Sequence, residues 1–248
     1  GYFKKNLADA VLRYDVDEKR WHVVDRHEPA SGDAYPAEVD GARQGWVRGP
    51  DNAVVIGDTL IVAAKDNDRL VAYHLPTQMA AGTPGVSARV VLADRVTLAN
   101  RNGEQRSVCG HRALAADDDW LYVGFRTTGE VIRLPIVDDG GKLSLDTDAA
   151  ELLATLLPFD PATGDSANIT DIALCPAGDL FVLSAKPARV FRFTPDPATV
   201  HDYRDSEGAW LDAAAASGDA TLKSENLLVA PDGTLFLTSG NPYGATGI

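Results

Sequence analysis

Sulfur is scarce in this chain: 248 residues hold two cysteines and one methionine. With no CxxC or CxxCH spacing around Cys109 and Cys175, covalent haem attachment and a cysteine-rich zinc site are both unsupported. A bridge between these two cysteines is not expected either. Cys109 precedes one predicted strand and Cys175 lies near the end of the equivalent strand in the next repeat, an offset of roughly 20 Å at strand rise, whereas a disulfide needs Cα atoms within about 7 Å. Two buried free thiols are therefore expected. Basic charge is also in deficit. Against 36 acidic residues stand 23 Lys and Arg, a formal charge of -13, so the average surface repels phosphate backbones and anionic lipid. Nucleic-acid and membrane partners are not expected. No apolar run reaches the eighteen or so residues of a membrane span, and the opening GYFKKNLADA lacks the apolar core of a signal peptide. Because the chain starts at Gly1 rather than Met, removal of a leader or a larger N-terminal part is expected.

What the chain does have is one phrase repeated four times: an apolar run, a tight turn, a Leu-led run, a polar loop and a third run. It reads DNAVVIGDTLIVAAKDNDRLVAYHL from Asp51, GHRALAADDDWLYVGFRTTGEVIRLPI from Gly110, NITDIALCPAGDLFVLSAKPARVFRFTP from Asn168 and, in part, SENLLVAPDGTLFLTSG from Ser224. The anchoring Leu60, Leu121, Leu180 and Leu235 recur about every 55 to 61 residues, the period of stacked supersecondary units. Within a unit the turns are Gly57-Asp58, Asp117-Asp118-Asp119, Pro176-Ala177-Gly178 and Pro231-Asp232-Gly233, all hairpin chemistry. The second run is rich in β-branched and aromatic residues, as in Leu121-Tyr122-Val123, and predicts a strand buried on both sides. In the third run Val11, Val131 and Val190 are each followed two positions later by Arg13, Arg133 and Arg192, which predicts one packed and one polar, exposed side. A weaker fourth run follows, as at Ser87 to Leu92 and Glu151 to Leu157.

Four antiparallel strands per unit describe a β-propeller blade. The fold class is thus all-β, a propeller of four-stranded antiparallel blades with about four blades visible, read as a single domain over 1–248. AVLRYDV from Ala10 and RWHVVDR from Arg20 match the third and fourth strands of a unit, and the chain ends on a first and second strand. Two readings stay open: the N-terminal strands complete the C-terminal blade, or the chain is part of a larger ring. Between units run long links, one of which predicts a helix from Glu207 to Ala216 capped by Ser206 and stopped at Ser217-Gly218. Such insertions fall on propeller faces, where binding surfaces are built.

The segments PDGTLFLT at Pro231, ITDIALCPAGDLFVLSAKPARVFRFTP at Ile169 and RALAADDDWLYV at Arg112 resemble the NHL, YVTN and senescence-marker-protein/gluconolactonase-like propellers over most of the chain. In the gluconolactonase-like enzymes this resemblance implies a metal at one channel mouth, held by Asn, Asp and Glu that precede the innermost strands, a donor set suited to Ca2+ or another divalent cation. Alignment on the leucines puts Asn52, Arg112, Asp171 and Asn226 at equivalent positions, with His111, Thr170 and Glu225 beside them. By resemblance Asp171 is the metal-binding carboxylate, Asn52 and Asn226 are further ligands, and His111 or Glu225 is the proton acceptor. The family's Gly-Glu-Gly-Pro segment is missing, and Arg112 puts a cation where a donor is wanted. Elsewhere, Asp117-Asp118-Asp119 reads as an exposed turn rather than a cation site, and Trp21, Trp46, Trp120 and Trp210 read as blade packing.

Fold does not choose among lactonases, dehydrogenases, lyases and scaffolds built on such blades. The first expectation is an extracytoplasmic, periplasmic or secreted propeller that binds a protein or small molecule through its loop-decorated face, with no cofactor certain. The alternative is a metal-dependent hydrolase or lactonase of the gluconolactonase type. A third reading, an oxidoreductase subunit, has no evident cofactor ligands.

Overall fold

The computed structural model describes residues 10–26, 50–64, 69–75, 89–94, 97–99, 105–107, 111–126, 128–138, 140, 143–156, 168–185, 188–203, 208–219 and 222–239. The chain divides into two compact units, Gly1–Asp94 and Arg95–Ile248.

In the first unit, β1 (Ala10–Asp15) and β2 (Arg20–Arg26) form an antiparallel hairpin. Its turn is shaped by Asp15, whose Oδ1 accepts from the backbone N–H groups of Asp17 at 3.0 Å and Glu18 at 2.9 Å. A four-stranded antiparallel sheet follows in the order β3 (Pro50–Ile56), β4 (Thr59–Ala64), β5 (Arg69–His74) and β6 (Arg89–Asp94). Gly57, at φ +52°, makes the β3–β4 turn at the predicted place. Val11 and Val24 of the hairpin pack with Val62, Ala64, Val71 and Tyr73 of the sheet into one core.

The second unit holds two larger sheets and two hairpins. One hairpin pairs β7 (Thr97–Ala99) with β8 (Gln105–Ser107). The first large sheet runs β9 (His111–Ala116), β10 (Trp120–Phe125), β11 (Glu130–Asp138) and β13 (Glu151–Leu156), with β12 (Leu143–Leu145) beside β11. The second runs β14 (Ile169–Leu174), β15 (Leu180–Ala185), β16 (Ala188–Phe193) and β18 (Leu211–Asp212). The second hairpin joins β19 (Ser224–Val229) and β20 (Leu235–Ser239). The predicted turns are present. Asp117 Oδ1 accepts from the N–H groups of Asp119 at 3.0 Å and Trp120 at 2.8 Å, so the triple-Asp run is a self-satisfied turn. Gly178 and Gly233 sit at φ +89° and +85°.

Burial of the second run on both sides has a simple geometric origin. Along β15, Leu180 and Val182 point into a core shared with Ala113, Val131, Leu153, Ile169 and Ile172. The intervening Phe181 and Leu183 point the other way, to Val190 and Leu227. A strand whose alternate residues serve two different neighbours must be apolar at every position. These stacked, four-stranded antiparallel sheets with almost no helix are β-propeller-type blades, and the chain is an all-β protein.

Four details differ from the sequence reading. The helix is α1 (Ala213–Ser217), shorter and later than expected and capped by Asp212, whose Oδ1 accepts from Ala215 N–H at 2.9 Å. Pairing of Val190 with Leu211 and of Arg189 with Asp212 puts Leu211 and Asp212 in a strand, and Gly208 at φ +92° cannot lie in a helix; Ser206 and Glu207 lie outside the described residues. The stop at Ser217-Gly218 is as predicted, with Gly218 left-handed at φ +73°. Secondly, β17 (His201–Tyr203) leaves the link after β16 and pairs parallel with β13 of the preceding sheet. Its Tyr203 and His201 stack against Phe191 and Phe193, with centroids 4.9 and 4.8 Å apart. Thirdly, the polar side of the third run is not open at Arg133, whose side chain is 13% exposed, although it is at Arg192, 44% exposed. Lastly, Trp21 and Trp210 are 65% and 51% exposed, although each packs on a neighbouring ring, Tyr14 and Phe181, with centroids 5.0 and 5.4 Å apart; Trp46 lies outside the described residues, as does Cys109. Cys175 is a free thiol, half-buried rather than fully buried.

Candidate functional site

In antiparallel blades the starts of β9, β14 and β19 and the end of β10 share one end of the second unit, since His111 pairs with Phe125 and Ile169 with Ser184. Most of the candidate residues lie there. Asp171 is buried on β14, and its two oxygens serve different strands. Oδ1 accepts from the N–H of Ile172 at 3.0 Å, and Oδ2 accepts from the N–H of Leu227, on β19, at 2.8 Å. The carboxylate therefore fastens one blade to the next. Beside it the buried Thr170 hydroxyl donates to the carbonyl of Ser224 at 3.3 Å, a second tie between the same two strands. Ser224 in turn donates to the carbonyl of Thr238 at 2.8 Å.

Asn226 is exposed and donates through Nδ2 to Thr238 Oγ1 at 3.1 Å, so its amide is engaged within its own hairpin. Glu225 is half-buried between these residues. His111 and Arg112 open β9 at the same end. Asn52 lies in β3 of the first unit, opposite Ala63 and half-buried. Among the described residues no three His, Cys, Asp or Glu side chains come together as a metal-sized group.

Two further residues at this end escaped the sequence reading. Arg126, directly after β10, donates through Nε to Asn168 Oδ1 at 2.7 Å. Asn168, directly before β14, has the left-handed φ of +44°, a region that Asn tolerates better than most residues. The sequence signal was the Asn at the head of the third repeat.

Away from this end, the Arg133 guanidinium lies 3.9 Å over the Trp120 ring, bonds Glu151 at 2.5 Å and reaches the carbonyl of Pro195 at 3.3 Å. Tyr122 donates to Asp117 at 2.8 Å; burial, then this bond and the charge of Asp117, push its phenol well above the ordinary value. Arg192 pairs with Asp179, and that bond, together with the one from Thr194, holds the Asp179 carboxyl below its usual range.

The chain matches no protein-family profile and no curated protein. Solved structures do resemble it. Residues amounting to 94% of the chain superpose on 57% of a Bacteroides uniformis ATCC 8492 protein provisionally named 6-phosphogluconolactonase, with TM-score 0.54 and 10% identity. A Bacteroides fragilis NCTC 9343 protein under the same provisional name is matched over 93% of the chain and 57% of its own length, with TM-score 0.50 and 17% identity. The chain thus spans little more than half the length of these structures. At such identities the likeness is one of fold alone.

Proposed function

We propose that this chain is a binding module of the propeller type, which takes up a protein or small molecule at the loop end where β9, β14 and β19 begin. The observation that carries this reading is the use made of Asp171. The carboxylate that the resemblance nominates as a metal ligand is directed at two backbone N–H groups, one of them on the neighbouring blade. Each oxygen thereby spends one of its lone pairs on an N–H donor, and a divalent ion bound there would share the carboxylate with both strands. Asn226 likewise spends its amide on Thr238.

A second reading, a lactonase-like hydrolase with a divalent ion at this end, is favoured by the provisional names of the two structural neighbours. Metal analysis of the protein after dialysis against Ca2+, run beside a lactone-hydrolysis assay on 6-phosphogluconolactone and gluconolactone, separates the two. The binding-module reading expects neither stoichiometric metal nor turnover. Metal at one equivalent that disappears in Asp171→Asn, together with hydrolysis that disappears with it, would replace the first reading by the second.

A further inference from the structure

We infer that Arg126, held in place by Asn168, forms an oxyanion-binding site at this loop end, and that the ligand is a small anion gripped through a phosphate or carboxylate group. The inference rests on the reading that this end binds a ligand and gives that ligand its chemistry.

The argument starts from the charge balance. In a chain with 36 acidic and 23 basic residues, an arginine finds a carboxylate easily, and Arg20, Arg133, Arg189 and Arg192 each pair with one. Among the described residues, Arg126 is exposed and bonds instead to a neutral amide oxygen. That bond uses only Nε, which fixes the plane of the guanidinium while leaving the two terminal nitrogens as a fork of donors, the geometry that matches phosphate and carboxylate oxygens. Because Asn168 Oδ1 accepts from Arg126, the amide nitrogen of Asn168 is a further donor on the same pair. Holding Asn168 at φ +44° is conformationally unfavourable for a residue with a Cβ, and the position is fixed by a bond from Ala185 N–H to the Asn168 carbonyl at 3.2 Å. Glu130, at the far side of the same turn, is fully buried, so it does not share the solvent-facing side of the guanidinium. Charge, orientation and a pre-set partner thus coincide at one exposed point of an otherwise acidic chain.

The test is calorimetric titration of the intact protein at low salt with three probes: inorganic phosphate, gluconate and 6-phosphogluconate. Binding of phosphate and 6-phosphogluconate without gluconate identifies a phosphate site, and binding of gluconate identifies a carboxylate site. In either case Arg126→Gln should weaken the bound probe at least about tenfold. Arg126→Lys, which keeps the charge and loses the fork, should weaken it less. Asn168→Gly keeps the backbone conformation and removes the side chain, and should weaken it about threefold. Thermal melts of the two Arg126 variants should match the parent, since Arg126 is exposed. Failure of all three probes to bind at about 10 mM would overturn the inference, leaving the binding-module reading to its own metal and hydrolysis test. Binding that Arg126→Gln leaves unchanged would overturn the inference while keeping a ligand at this end.

Discussion

If Asp171 is a strut between blades, its removal should be read in stability and at one particular amide. In Asp171→Ala the buried N–H of Leu227, now bonded at 2.8 Å to an ionised acceptor, is left without a partner. A hydrogen bond to a charged group contributes about 1.5–3 kcal/mol, and an orphaned buried donor costs about 1–3 kcal/mol. Relief from burying a carboxylate offsets part of this, so a net loss of about 2 kcal/mol is expected. For a chain of this size that lowers Tm by about 4–8 °C. Asp171→Asn keeps one acceptor oxygen but turns an amide nitrogen towards the other N–H, and should lose about half as much. Because two compact units need not unfold together, a local readout is needed as well. Hydrogen exchange of the Leu227 amide should speed up by roughly 30-fold in Asp171→Ala, the factor that 2 kcal/mol gives. An unchanged Leu227 exchange rate with Tm moved by less than about 1 °C would refute the strut.

Gly124 lies on β10 where β14 crosses closely: a Cβ there would stand 2.7 Å from Ile169 Cγ2 and 2.9 Å from Ile172 Cδ1. Gly124→Ala should therefore cost about 1–3 kcal/mol by overpacking, measured by urea unfolding, and a neutral result would mean that the contact relaxes freely. Arg133→Lys retains charge but loses the planar stack on Trp120 and the reach to Pro195; a loss of about 1 kcal/mol and a shift in Trp120 fluorescence are expected, and an unaltered spectrum would count against the clamp. Asp179 and Asp212 titrate below the usual carboxylate range, the first through Arg192 and Thr194, the second through the Ala215 N–H and Arg189. A carboxyl whose folded value is lowered adds stability that is present above its unfolded value of about 3.9 and lost as pH falls through the folded value. Urea midpoints should accordingly fall below about pH 4, and the double variant Asp179→Asn/Asp212→Asn should flatten that fall; an identical acid limb would assign it to other groups.

Which runs form strands, and which residues turn them, depend on neighbours a few positions away, and both were legible in the sequence. Alternation, Gly-bearing turns and the spacing of Leu60, Leu121, Leu180 and Leu235 located β3, β4, β9, β10, β14, β15 and β20. The even burial of Leu121 to Val123 and of Leu180 to Leu183 was legible too, because a strand sandwiched between two sheets needs apolar residues on both faces. Tertiary structure decided what no local pattern encodes. It returned β17 to the sheet before its own, since that pairing depends on where a link comes to lie in space. It gave Asp171 to the Leu227 amide, some 56 positions away, so the most ligand-like carboxylate in the sequence serves as a blade fastener. It joined Arg126 to Asn168 across 42 positions, a pair that neither residue announces alone. Side-chain partners are fixed by three-dimensional proximity, whereas strand and turn preferences are fixed by the chain itself, and for this protein the division between fold and site follows that line.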